Sequence, residues 1–160
     1  MKRWMVLAVL AAVAILAPLA LAMSAPQVAW VKHPQNPVFR PGSPGAWDDR
    51  SVFQAKVVLK DGTYHMWYTG DSNLDRRQQI GYATSTDGVN WTRMSAQPVL
   101  TYDKKKWDAM GVGAPSVLWD ADANKWKMWY TGLPSFNDYE IGYAESADGI
   151  NWTKHDGSVL

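Results

Sequence analysis

Tyr64-His-Met-Trp-Tyr-Thr-Gly70 returns as Trp126-Lys-Met-Trp-Tyr-Thr-Gly132, with five of seven positions identical. Downstream of each copy, Ile80-Gly-Tyr-Ala-Thr-Ser-Thr-Asp-Gly-Val-Asn-Trp-Thr-Arg93 returns as Ile141-Gly-Tyr-Ala-Glu-Ser-Ala-Asp-Gly-Ile-Asn-Trp-Thr-Lys154, with ten of fourteen identical. Working outward, Trp47-Asp48 recurs as Trp107-Asp108 and Val99-Leu100 as Val159-Leu160. Four matched blocks in the same order define an internal repeat of about 60 residues, a period that points to a repeat architecture.

Each repeat parses into four short strands. In the first they are expected at Val52–Leu59, Thr63–Tyr68, Gln79–Thr84 and Asn90–Met94, rich in the valine, threonine and aromatic residues that suit a pleated surface. Asp61-Gly62 and Asp87-Gly88 mark tight turns, since glycine tolerates positive φ. The second repeat keeps Asp148-Gly149 and replaces the first turn by Ala121-Asp-Ala-Asn124. Along Tyr64–Tyr68 both faces of the strand carry large side chains, so it is expected to be packed on both sides. Four-stranded units with periodic glycine and aromatic motifs are the mark of β-propeller blades. The fold class is therefore all-β, with two antiparallel four-stranded blades. A β-sandwich is the alternative, but it gives no reason for the period. Trp67 and Trp129 are expected on open blade faces, through which the chain could self-associate.

Alternating strand direction sorts the loops onto two ends of the blade. The first–second and third–fourth turns are short and alike in the two repeats. At the other end the loops are long and dissimilar: 71–78 against 133–139, and 40–51 against 101–113. Long loops on a rigid scaffold are where binding concentrates. That end gathers Asp48, Asp49, Arg50, Asp71, Asp75, Arg76, Arg77, Asp108, Asp138, Tyr139 and Glu140.

The start of the chain differs from the rest. Lys2-Arg3 precedes an apolar run to Leu21, and Ala20-Leu21-Ala22 has the small-residue pattern of a processing site. Residues 1–22 are thus expected to be a signal peptide, with an uncleaved membrane anchor as the alternative, and the protein to be secreted or periplasmic. Residues 23–46 form a lead-in, 47–100 the first blade and 101–160 the second. Without Lys2 and Arg3, 14 basic residues face 15 acidic ones. Such a balance argues against nucleic acid, or a membrane surface after cleavage, as partner. The chain has no cysteine, so disulfides and thiolate chemistry are excluded. His33, His65 and His155 are scattered, so no metal site and no cofactor are expected.

Asn36-Pro37-Val38, Trp47-Asp48, Met66-Trp67-Tyr68-Thr69-Gly70 and Ile80-Gly-Tyr-Ala-x-Ser-x-Asp-Gly-x-x-Trp91 together resemble the five-bladed propeller glycoside hydrolases, the superfamily of arabinanases, β-xylosidases, invertases and levansucrases (families 32 and 43). The resemblance spans Asn36 to Leu160. It implies a carbohydrate substrate and three carboxylates around a central funnel. It also implies five blades, so a fragment of a longer protein is expected. In many members an acid stands at the start of an innermost strand, immediately before proline. The matching positions here are Gln54-Ala55 and Ala114-Pro115, neither acidic.

Glycosidic bonds are cleaved by paired carboxyl groups, so the catalytic candidates are Asp49, Asp48, Asp108 and Glu140. Asp48 and Asp108 occur in both repeats, which favours a structural role for each. Asp49 and Glu140 are not repeated, being aligned with Ala109 and Gln79, and are the better suspects. Arg50, Asp75, Arg76 and Tyr139 are candidate substrate contacts. Trp119, aligned with Lys60, offers a face for a sugar ring or fills the core. Two functions follow: a glycoside hydrolase, or a non-catalytic propeller module that binds glycan or protein.

Overall fold

The computed structural model describes residues 29–135 and 137–157. The expected signal segment, and Val159-Leu160, lie outside the described residues. The described residues from 33 onward form one compact unit, which contains both blades. Among the described residues, no helix is long and apolar enough to cross a membrane.

Eight strands form two antiparallel sheets. The first orders β1 (Ser51–Lys60), β2 (Thr63–Asp71), β3 (Gln79–Ser85) and β4 (Thr92–Arg93) side by side. The second repeats the order with β5 (Val112–Asp120), β6 (Lys125–Gly132), β7 (Glu140–Ser146) and β8 (Thr153–Lys154). Three of the four expected strands of the first repeat match within a few residues. The fourth is shorter, because Asn90 is drawn into the preceding turn: its backbone N–H and side-chain amide both donate to Asp87, at 2.7 Å each. Ser85 Oγ also accepts the Gly88 N–H at 2.9 Å. Ser146, Asp148, Gly149 and Asn151 repeat this turn. At the β1–β2 hairpin, Asp61 and Gly62 both have positive φ, as the Asp-Gly pair requires.

The repeated glycines make room for the repeated aromatics. A Cβ on Gly81 would lie 2.4 Å from Cζ of Tyr68, and one on Gly142 would lie 2.4 Å from Cζ of Tyr130. Trp47 and Trp107 stack on these tyrosines with ring centroids 5.9 Å apart in both blades.

The blades pack face to face, with β5 against β1, β2 and β3. Trp67, Ile80 and Tyr82 of the first blade meet Val117, Trp126 and Met128 of the second in one buried cluster. The indole N–H of Trp67 donates to the Gly149 carbonyl at 2.9 Å. The expectation of an open face is therefore corrected for Trp67, which is fully buried because the second blade covers it. Trp129, its repeat equivalent, remains 37% exposed. Packing on both sides holds for β2, whereas β6 buries Trp126, Met128 and Tyr130 and turns Lys127 and Trp129 outward.

Candidate functional site

β1 and β5 begin at the long-loop end, and each is broken by a bulge. The register shifts between Phe53 and Lys56 in β1 and between Gly113 and Ser116 in β5. Gln54 and Ala114 sit in these bulges with φ of 50° and 47°. A non-glycine residue in this region is strained, and the same strain in both blades marks a built feature. Thr69 couples the two bulges: its hydroxyl donates to Gln54 Oε1 at 3.2 Å and accepts the Ala114 N–H at 2.8 Å.

The repeated aspartates are buried ion-pair partners. Asp48 accepts from the Tyr68 hydroxyl at 3.0 Å and from Arg93 Nε and Nη2 at 2.9 and 2.8 Å. Asp108 pairs with Lys154 and accepts the Asp103 N–H at 3.1 Å. Burial, then the Asp48 charge, drives the Tyr68 hydroxyl pKa far above its ordinary value. Burial does the same to Tyr130, whose hydroxyl oxygen has no hydrogen-bond partner among the described residues.

Asp49 is only half-buried and ties two loops together. Its carboxylate accepts the Asn73 N–H and the Gly45 N–H, both at 2.8 Å. These bonds, the one from the Asn73 backbone first, hold its pKa below the ordinary carboxylate range. The Asp49 carboxyl is thus held ionised at neutral pH. Arg50 pairs at 2.5 Å with Asp71, which is buried.

Asp75 anchors the β2–β3 loop. Burial raises its pKa, but the Tyr102 hydroxyl at 2.6 Å and Arg77 at 3.2 Å outweigh that and lower it overall. The bond to Asp75 in turn raises the Tyr102 pKa. Beside this cluster lies a cavity of about 330 Å³ lined by Asp75, Arg76, Arg77, Gln78, Met110 and Leu133. Arg77 is held by Asp75 and lies over the Tyr102 ring, 5.3 Å from its centroid. Arg76 is exposed and makes no ion pair among the described residues. Two arginines, a carboxylate and an amide beside two apolar side chains can bond hydroxyls while covering the apolar face of a sugar ring.

The structure brings Asp75 and Arg76 together in this cavity, and Asp49 stands on the neighbouring loop. Glu140 begins β7 opposite Gly132, and Tyr139 is exposed. Trp119 does not join them. It lies next to last in β5, at the short-turn end, packed on Trp126 at 5.1 Å with Lys60 Nζ 4.3 Å from its ring. The strand register also corrects its alignment: Trp119 faces Trp126 as Leu59 faces Tyr64, so Leu59 rather than Lys60 is its counterpart. Gln78, Met110, Leu133 and Tyr102 were not singled out by sequence. Gln78 follows Arg76-Arg77 directly, but the other three are single loop residues without a pattern. Among the described residues, no group of three His, Asp or Glu side chains is arranged to hold a metal ion.

The model of the glycosyl hydrolases family 32 N-terminal domain matches residues 21–159. The chain belongs to this family. The family 32 chain is 30% identical to an uncharacterised protein of Mycobacterium tuberculosis, over 77% of its own length and 43% of that protein's. It is 29% identical to a β-1,2-mannobiose phosphorylase of a Thermoanaerobacter species, over 75% of its own length and 43% of the enzyme's. Among solved structures, one is described as from the GH130 family of mannoside phosphorylases, containing glycoside hydrolases that target β-1,2 mannosidic linkages in Candida mannan. It aligns with a TM-score of 0.71 at 25% identity, covering 86% of this chain and 44% of that one. The chain thus spans under half the length of these relatives. Propeller blades of the glycoside hydrolase superfamily are the fold of this chain.

Proposed function

We propose that these two blades are the glycan-binding part of an exported propeller that acts on β-linked mannosides, and that they do not cleave the glycan on their own. The observation that carries this reading is the pair of strained bulges at the starts of β1 and β5. They present the Gln54 amide and the Ala114 methyl where the resembled enzymes carry an acid. Cleavage needs two carboxyl groups about 5–10 Å apart across the sugar, one of them able to donate a proton. Asp48 and Asp108 are buried in ion pairs, and Asp49 is held ionised. Binding is better provided for, by the cavity of Asp75, Arg76, Arg77 and Gln78 over Met110 and Leu133. Mannosides are chosen because a phosphorylase relative and an aligned structure are described as acting on β-1,2-linked mannose. The basic start, the apolar run and Ala20-Leu21-Ala22 support export.

The test is incubation of the purified chain with β-1,2-mannobiose, with and without inorganic phosphate. Mannose and mannose 1-phosphate are expected to stay at background. Sustained release of either would sink the binding-only reading of these two blades. Export is checked separately by N-terminal sequencing, where a start near Met23 is expected and an intact Met1 in the membrane fraction contradicts it.

A further inference from the structure

Resting on the glycan-binding reading above, we propose that the cavity between the two blades takes a sugar unit bearing a carboxylate, a β-linked uronate, and that Arg76 is the residue that selects it. The cavity of about 330 Å³ is bounded by Asp75, Arg76, Arg77 and Gln78 of the first repeat and by Met110 and Leu133 of the second. Backbone bonds fix its walls. The Val112 N–H donates to the Gln78 carbonyl and the Met110 N–H to the Leu133 carbonyl, each at 2.9 Å.

The charges that line this cavity do not cancel. Asp75 is its one carboxylate, and both oxygens are taken. Oδ1 accepts the Arg77 backbone N–H at 3.1 Å and Arg77 Nη1 at 3.2 Å, and Oδ2 accepts the Tyr102 hydroxyl at 2.6 Å. Arg77 is thereby neutralised, and its Nε is enclosed and bonds no acceptor among the described residues. Arg76 is exposed and forms no ion pair among the described residues. Elsewhere at this end, Arg50 and Asp71 answer each other. One cation is left over at the cavity wall. A guanidinium presents parallel N–H donors that match the plane of a carboxylate. The amount of charge decides between anions. A phosphate ester carries about −1.5 to −2 at neutral pH, more than one spare arginine answers, whereas a carboxylate matches it. Met110 and Leu133 add an apolar wall that suits ring carbons and gives nothing to a free anion.

Calorimetric titration of the purified chain compares methyl β-D-mannopyranosiduronate with methyl β-D-mannopyranoside, which differ only in a carboxylate for a hydroxymethyl group. The uronate is expected to bind at least about 5-fold tighter, the effect of a hydrogen bond to a charged group reduced for the exposure of Arg76. In about 1 M sodium chloride, where the screening length is about 3 Å, the preference should fall to about 2-fold or less. This arm uses the unsubstituted protein and so does not depend on any variant folding. Arg76→Gln removes the charge and should abolish the preference, whereas Arg76→Lys keeps the charge and should keep a preference; equal loss in both would tie the effect to shape and overturn the charge argument. Equal binding of the two glycosides by the unsubstituted chain overturns the proposal and leaves the glycan reading in place. Binding of the uronate alone supports the proposal and contradicts the reading for neutral mannosides, and binding of neither contradicts both. A preference that survives both salt and Arg76→Gln would overturn the role of Arg76. Inorganic phosphate bound more tightly than the uronate, and lost with Arg76→Gln, would assign the arginine to free phosphate and overturn the proposal.

Discussion

Replacing Trp67 by alanine separates local sequence from blade contact, because Trp129 sits in the same Met-Trp-Tyr-Thr-Gly context with no blade packed over it among the described residues. Trp67 is fully buried, with ring centroids 4.9 Å from Trp126, 5.0 Å from Tyr82 and 6.1 Å from Trp152. Truncating a core tryptophan costs about 3–5 kcal/mol, and the lost indole bond to Gly149 is part of that. Trp129 touches Tyr143 at 5.2 Å and faces outward. Its removal is expected to cost about 1 kcal/mol, as for a partly exposed position. Guanidinium unfolding of dilute protein, followed by far-ultraviolet circular dichroism, reads both. At roughly 4 °C per kcal/mol, Trp67→Ala should also lower Tm by about 12–20 °C, and Trp129→Ala by only a few degrees. Equal losses at the two positions would refute the packing of the second blade over Trp67.

The buried ion pairs and the titrating groups give two more outcomes. Asp48→Asn and Asp108→Asn each leave a cation facing a neutral buried amide; since Arg93 and Lys154 are partly exposed, a loss of roughly 2–3 kcal/mol by chemical denaturation is expected for each. A loss under about 0.5 kcal/mol at either site would show that its pair is not structural. With pH, the carboxyls of Asp87 and Asp148 are held far below their ordinary 3.8, chiefly by the Asn90 and Asn151 backbone N–H groups. Their contribution is present above about pH 4 and should be lost as pH falls below it. Burial raises Tyr82 and Tyr143 to about 12 from 10.0, so their contribution is present below pH 10 and should be lost between pH 10 and 12. A Tm flat from pH 2 to 5 and from pH 9 to 12 would contradict both assignments.

The repeat made the blades legible. Strand identities, the Asp-Gly turns and the strand order follow from local pattern, and the structure adds only ends such as the short β4. What local pattern could not show is what stands next to a strand. Trp67 and Trp129 read alike, yet one is covered and the other is not, because only the first blade has a successor within the described residues. Structural duty for Asp48 and Asp108 was favoured by their repetition, and their burial against Arg93 and Lys154 accords with it. The strained φ at Gln54 and Ala114 was hidden, since neither is a residue type that announces a bulge. The Asp75–Tyr102 bond joins positions 27 residues apart and had no sequence signal. Trp119 was placed against Lys60 because a one-residue slip in a strand is invisible without the pairing register.

The claim that the long-loop end binds glycan is tested most directly by calorimetric titration of β-1,2-mannobiose into the purified chain and its Arg77→Ala variant. Arg77 is fixed by Asp75 and Tyr102 at the wall of the cavity, so its loss removes both a donor and the order of the wall. Saturable binding by the unsubstituted chain is expected, weakened at least about 10-fold in the variant, as for one hydrogen bond to a charged group. Absence of binding, or equal binding by both proteins, would contradict the account.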